Sequence, residues 1–343
     1  MGDFSRYVDG ITRETGWERE RLWPCRVEIC SAIYGTGNPD ISGIGVAIGY
    51  VLMAGLSLSL SALTVLLVRR HRTHPKRLSV VTAGLQSFFD AAAYFAIAAQ
   101  LATIIFLSMK DFGISTSNFE TIEAQIAQIV SVVCMLPLLY PIVLLDATDE
   151  PAKHNMRVFL LNVAASLSFY TFVSRCIHWF SNTPMRTSDG DVIDMDDWGE
   201  VEGICFSDGL LGLEKNRVYG SIGALGISSM ILVYIFTFWQ NLGLLGFRHL
   251  AGRSRWQDLI FQHYVWRECL SRHPYYATVF LLVPVGLSLP LLWAVFYLRH
   301  LQRELSHVLS MEYEGDSWGF GQIVSIVIFA PVPISMAYHA RFG

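Results

Sequence analysis

A few side chains have types and spacings that could do chemistry inside apolar surroundings. Glu123 opens an apolar stretch and is followed by Gln125 and Gln128, while Arg175 and His178 close another. Asp90, Tyr94 and Gln100 share the run SFFDAAAYFAIAAQ, and Tyr140, Tyr170 and Tyr234 put hydroxyls on aromatic bodies elsewhere in apolar sequence. An ionisable group in lipid is costly, so each is first treated as functional. A carboxyl there could act as a proton donor. Glu123 and Asp90 are the candidate catalytic acids. Arg175, His178, Gln100, Tyr94 and Tyr170 are the candidate groups for holding a substrate. Glu123 and Arg175/His178 are expected about one turn inside one interface, with Gln100 deeper. Two blander roles compete: a Glu123–Arg175 ion pair that only fixes helix packing, and an Asp90 charge at a helix N-terminus near the headgroups.

The elements that must position these groups follow from composition. Of 343 residues, 52% are hydrophobic and 16% charged, with a mean hydropathy of +0.40. Ordinary soluble domains run nearer a quarter charged. A span needs about 20 apolar residues, and seven segments qualify: 42–68, 87–109, 122–146, 157–180, 219–247, 275–299 and 318–339. Backbone polar groups cannot stay unpaired in lipid, so these should be helices. The expected fold is all-α, a polytopic integral membrane bundle. Around it lie a 1–41 N-terminal segment, a 181–218 acidic loop and a 248–274 amphipathic loop that reads as an interfacial helix. LSVVTAGLQ could extend the second span at its start.

Orientation comes from Lys and Arg in short loops. Residues 69–77, RRHRTHPKR, carry only basic charge, and 248–274 adds Arg248, Arg253, Arg255, Arg267 and Arg272. The N-terminus is therefore expected to be lumenal or extracellular and the C-terminus cytoplasmic. The first forty residues contain many charges and no apolar signal-peptide core, so the first span should act as its own insertion signal. Cys25, Cys30 and Cys205 fall on the oxidising side, where a bridge among them is open. Cys134 and Cys176 read as small core residues. The net charge of −4 leaves no basic face for nucleic acid.

Asp196-Asp197-Trp198-Gly199-Glu200 has the D-D-x-x-[DE] spacing that can hold Mg²⁺ against a diphosphate. Such patterns are cheap in an acidic loop, and no metal is assigned. Pro284, Pro290, Pro331 and Pro333 are expected to kink the sixth and seventh spans and could open a cavity between them. No P-loop, Rossmann glycine pattern, serine-hydrolase elbow or HExxH occurs, and no cofactor is expected.

NPDISGIGVAIGYVL (38–52), FFDAAAYFAIAAQLATI (88–104) and WGFGQIVSIVIFAPVP (318–333) together resemble a family of fungal multi-pass membrane proteins. Members open on N-P-D-I-x-G-I-G-V-R and carry W-x-F-G-Q before a proline-containing last helix. Ala47 stands where that family usually has Arg, so a role resting on that Arg is lost or moved here. Some proteins of this kind resemble membrane-bound terpene cyclases of meroterpenoid pathways. The resemblance implies an isomerase that protonates an epoxidised farnesyl chain on an aromatic and shields the cation from water. It further implies an isoprenoid substrate drawn from the bilayer, an endoplasmic reticulum or other endomembrane location, and a monooxygenase or prenyltransferase nearby. The rival expectation is a lipid-translocating or receptor-like seven-helix protein without catalysis.

Overall fold

The structure is a computed structural model, and it describes residues 23–69, 75–109, 121–146, 151–180, 204–206, 217–244 and 274–342. Among these the secondary structure is helical, with no strand. In chain order the helices are α1 (Arg26–Tyr34), α2 (Ile44–Arg69), α3 (Pro75–Met109), α4 (Thr121–Asp146) and α5 (Pro151–Phe180). They are followed by α6 (Arg217–Leu244), α7 (Pro274–Val308), α8 (Phe320–Val327) and α9 (Pro331–Phe342). Seven spans, with α8 and α9 counted as one, are long and apolar enough to cross a membrane. The protein is a multi-pass, all-α membrane bundle.

α4 is the hub. Its sequence, TIEAQIAQIVSVVCMLPLLYPIVLLD, is almost wholly apolar apart from Glu123, Gln125, Gln128 and Ser131, with no solvent-facing polar stripe, and a helix of that kind must be covered all round. Its spanning window is 94% buried. α2, α3, α5, α6 and α7 pack side by side in a closed ring, and each of the five also touches α4. α8 lies outside the ring on α2, and α9 lies on α3. α4 contains Pro137 and Pro141. Pro141 has no N–H for the carbonyl four residues earlier, which is that of Pro137. Ser57 of α2 donates its hydroxyl to that carbonyl at 2.6 Å.

Four spans differ from the sequence expectation, and α5 begins at Pro151 rather than at 157. α3 starts at Pro75, taking in the LSVVTAGLQ stretch. α7 runs to Val308 rather than ending near 299, because Leu298, Leu301, Leu305 and Leu309 continue the buried stripe past the charges. The last span breaks before Pro331, whose missing N–H leaves the Val327 carbonyl without its helical partner. The Ala330 N–H takes that carbonyl at 2.9 Å in a tighter turn. Phe329, at the break, stacks on Phe88 with ring centroids 6.2 Å apart.

A cap covers the end of the bundle where α2 and α4 begin. It is built from residues 23–43, 204–206 and 309–319. Cys30 and Cys205 form a disulfide across a separation of 175 residues, and Tyr34 packs edge-on against Phe206. Cys25 is free. The Glu314 N–H donates to the Thr36 carbonyl at 3.0 Å. Gly37 has φ +96°, and a Cβ there would lie 2.7 Å from the Tyr313 ring, so both the backbone and the packing require glycine. The acidic pattern at 196–200, most of the 181–218 loop and the 248–273 segment lie outside the described residues.

Candidate functional site beneath the cap

Glu123 sits in the first turn of α4 and is 3% exposed. Its Oε1 lies 3.3 Å from Nε2 of Gln302, which also donates to the Tyr34 carbonyl at 3.3 Å. Ser42 Oγ lies 3.5 Å from the same carboxylate oxygen. Ser42 belongs to the turn that opens α2. Its Oγ lies 3.0 Å from the Asn38 carbonyl and accepts the Asn38 N–H at 3.2 Å. The Asn38 side chain in turn accepts the Asp40 N–H at 2.9 Å. The N-P-D-I-S run thus folds as an Asx turn that presents Ser42 to Glu123.

Beside Glu123, Arg299 of α7 is 6% exposed. Its Nη2 approaches the Gly315 carbonyl at 3.4 Å and Asp316 Oδ1 at 3.8 Å. Arg303 holds the other Asp316 oxygen at 3.2 Å. Burial pushes the Tyr313 hydroxyl above its ordinary pKa; the charge of Arg299 and a hydrogen bond with its side chain pull it down, while Glu123 and Asp316 add to the rise. An acid, a guanidinium, a phenol and an amide therefore share one buried neighbourhood.

Gln322 joins the two ends of the chain there. It accepts the Gly45 N–H, one of the orphan donors of α2's first turn, at 2.8 Å, and donates to the Ser317 carbonyl. Ser325 donates to the Gly45 carbonyl at 3.0 Å. The N-P-D-I-x-G-I-G and W-x-F-G-Q segments, remote in sequence, pack directly on each other.

The structure distributes the other predicted residues elsewhere. Arg175 approaches Gln125 Oε1 at 3.3 Å and the Gly223 carbonyl at 3.4 Å, while Ser42 and Gln302 are the neighbours of Glu123 Oε1. Glu123 and Gln125, two residues apart on α4, cannot share a face. Gln100 is fully buried, donating to the Ser131 carbonyl at 2.8 Å and accepting the Ser131 hydroxyl at 2.6 Å. Thr171 and the Gln128–Ser174 pair extend this seam between α4 and α5. Tyr94 is 54% exposed on the outer surface of the ring, and Tyr170 is partly buried in α5. His178 lies in α5, and its side chain is outside the described residues.

Asp90 is engaged by Arg157, with contacts of 2.8 and 3.1 Å to its two oxygens. Arg157 is buried and Asp90 half-exposed. Removing Asp90 alone takes the carboxylate away from a buried cation. Asp90→Ala is expected to cost about 1–2 kcal/mol, because half of the pair is solvent-screened. Asp90→Ala/Arg157→Leu should recover most of that loss in a thermal unfolding measurement. A double variant no more stable than Asp90→Ala would refute the pairing.

Arg299, Gln302, Ser42 and Tyr313 were not among the residues singled out from sequence. The signal for the first two was available, since the leucine stripe of α7 continues through RHLQRELSHVLS at helical spacing.

A cleft of ≈ 160 Å³ lies between α2, α4 and α7, lined by Val51, Ala54, Ser57, Pro137, Tyr140, Pro284, Ser288 and Leu292 among others. It sits beside prolines of the third and sixth spans, not between the sixth and seventh. Fourteen residues of α4 separate Glu123 from Pro137, so the two lie ~20 Å apart along the axis. Among the described residues no three of His, Cys, Asp and Glu are grouped to hold a metal. Comparison of the chain with protein-family models, curated proteins and solved structures found no match.

Proposed function

We propose that this protein is a membrane-bound terpene cyclase that closes rings in a prenylated aromatic, with Glu123 as proton donor. The observation that carries the reading is the hydrogen bonding around Glu123. Ser42 has a single hydroxyl proton and two acceptors within reach, the nearer being the Asn38 carbonyl. Glu123 is buried, and Gln302 Nε2 and Ser42 Oγ both lie against its Oε1, so the carboxyl is held in place beneath the cap. A carboxyl in a water-poor site, when it carries a proton, is suited to opening an epoxide. The proton goes to the epoxide oxygen, the C–O bond breaks, and an alkene captures the tertiary cation. Loss of a proton then gives an isomer of the substrate. Asp90, bound by Arg157, is the weaker candidate.

The mid-bundle cleft supports an isoprenoid substrate taken from the membrane. The resemblance of the 38–52, 88–104 and 318–333 segments to fungal multi-pass proteins supports the pathway context. That context is an endomembrane location, with a prenyltransferase and a monooxygenase supplying the epoxide. The ~20 Å between cleft and acid favours a second reading, a lipid-translocating or receptor-like protein whose cleft and cap work separately.

Microsomes containing the protein would be given a farnesylated aromatic epoxide. The parent chain is expected to form a product of unchanged mass. Glu123→Gln, which keeps the size and most contacts, should lose at least about 100-fold in rate, and Asp90→Asn should lose little. An inserted, folded protein that turns over none of several prenylated epoxides would shift the assignment to the second reading.

A further inference from the structure

The cleft between α2, α4 and α7 has a mouth. Val51, Gly55 and Leu289 line it and are exposed, so it opens between α2 and α7 on the outer face of the ring. Gly55 marks the gap, because a Cβ added there meets no atom within 4 Å. Gly55 and Ser57 flank the midpoint of the Ile44–Val68 span, so roughly 18 Å of helix separates the mouth from either end of that span. At that depth the surroundings are lipid chains and not water.

The wall offers a ligand little to hydrogen-bond. Ser57 gives its proton to the Pro137 carbonyl at 2.6 Å, and Ser288 gives its own to the Pro284 carbonyl at 2.7 Å. Tyr140 is buried and engaged by its neighbours. A water molecule needs two or more polar partners to settle in a cavity, whereas apolar cavities of about 150 Å³ stay dry and take up benzene-sized groups. The ≈ 160 Å³ here therefore has room for about the last six carbons of a chain. No polar group in the wall is free to select one hydrocarbon over another, so the most concentrated chain fills it. In the core of a bilayer that chain belongs to a phospholipid. We propose that the cleft is a side-opening site for the terminal segment of a phospholipid acyl chain. The site lies ~20 Å from Glu123 and does not depend on that residue acting as an acid. An isoprenoid substrate that reached the cleft would have to displace this chain.

Photolabelling tests it. The full chain would be reconstituted in phosphatidylcholine vesicles in which some of the lipid carries a diazirine at the end of one acyl chain. After illumination, labelled peptides are counted by mass spectrometry. Peptides holding residues 51–58 and 284–292 should be labelled several-fold more than the peptide around Ile231 and Ile235, which are exposed on α6 near the middle of its span. Ordinary boundary lipid would label the two regions alike. Gly55→Leu should fill the mouth and lower cleft labelling several-fold. It should leave α6 labelling and the melting temperature unchanged, because position 55 has open space around it. A second set of vesicles carries the diazirine on a farnesyl ether instead. The proposal is overturned if cleft and α6 are labelled equally, or if Gly55→Leu leaves cleft labelling intact. Labelling of the cleft by the farnesyl ether alone also overturns it and gives the cleft to an isoprenoid. No epoxide is present in either set, so the result is independent of the cyclase reading.

Discussion

Cys30→Ser and Cys205→Ser should each lower the stability of the cap by about 2–4 kcal/mol. The bridge joins residues 175 apart, and a soluble chain of that loop length would gain about 5 kcal/mol from closure entropy alone. The intervening spans stay helical in lipid after the bundle loosens, so the free loop is shorter and the gain smaller. The bridge ties α1 to the 204–206 segment. Its loss should loosen the Tyr34–Phe206 packing, and with it the Tyr34 carbonyl that positions Gln302 against Glu123. Both serine variants should melt lower by the same amount, with Cys25→Ser unchanged because Cys25 is free. Equal melting of Cys30→Ser and the parent, with faster cleavage of neither by protease, would remove the bridge from the account of the site.

Gly45→Val should be as damaging, at about 3 kcal/mol. A Cβ at position 45 would lie 2.6 Å from Gln322 Cβ and 2.9 Å from the Gln322 carbonyl oxygen. The second atom is backbone and cannot swing aside, so α8 must move away from α2. That movement breaks the Gly45 N–H bond to Gln322 and the Ser325 bond to the Gly45 carbonyl. Small residues permit close approach of helices in membranes, and Gly45 and Gly49 do so here. Gly55 lies on the same helix, where an added Cβ meets nothing within 4 Å. Gly55→Ala should therefore be neutral or slightly stabilising through helix propensity. Thermal unfolding of both variants separates a packing effect from a general intolerance of α2. A Gly45→Val protein as stable as Gly55→Ala would show that α8 does not dock as described.

The two variants test different links. The disulfide acts through the cap. The glycine acts through contact between segments that the resemblance had marked separately. In each case the site depends on chain ends far apart in sequence.

The all-α membrane architecture was legible from the sequence because lipid removes every alternative for paired backbone over about 20 apolar residues. Glu123 was legible as costly for the same reason. That Cys30 and Cys205 share one side of the membrane was also readable, but not their pairing with each other, because Cys25 is expected on that side too and spacing does not select a pair. The partner of Arg175 was not readable. Apolar spacing places a residue at a depth but not on a face, and only the ring of α2, α3, α5, α6 and α7 around α4 turns Arg175 toward Gln125 and Gly223. Arg299 and Gln302 read as the end of a span because of their charge and polarity, although the leucine stripe runs on through them. The cap, built from three remote segments, removes them from water and supplies the Tyr34 and Gly315 carbonyls they approach. Composition therefore determined that the chain lives in a membrane and which groups are expensive there. The tertiary structure decided which expensive groups meet, because long-range partners depend on how helices rotate and pack rather than on how apolar they are.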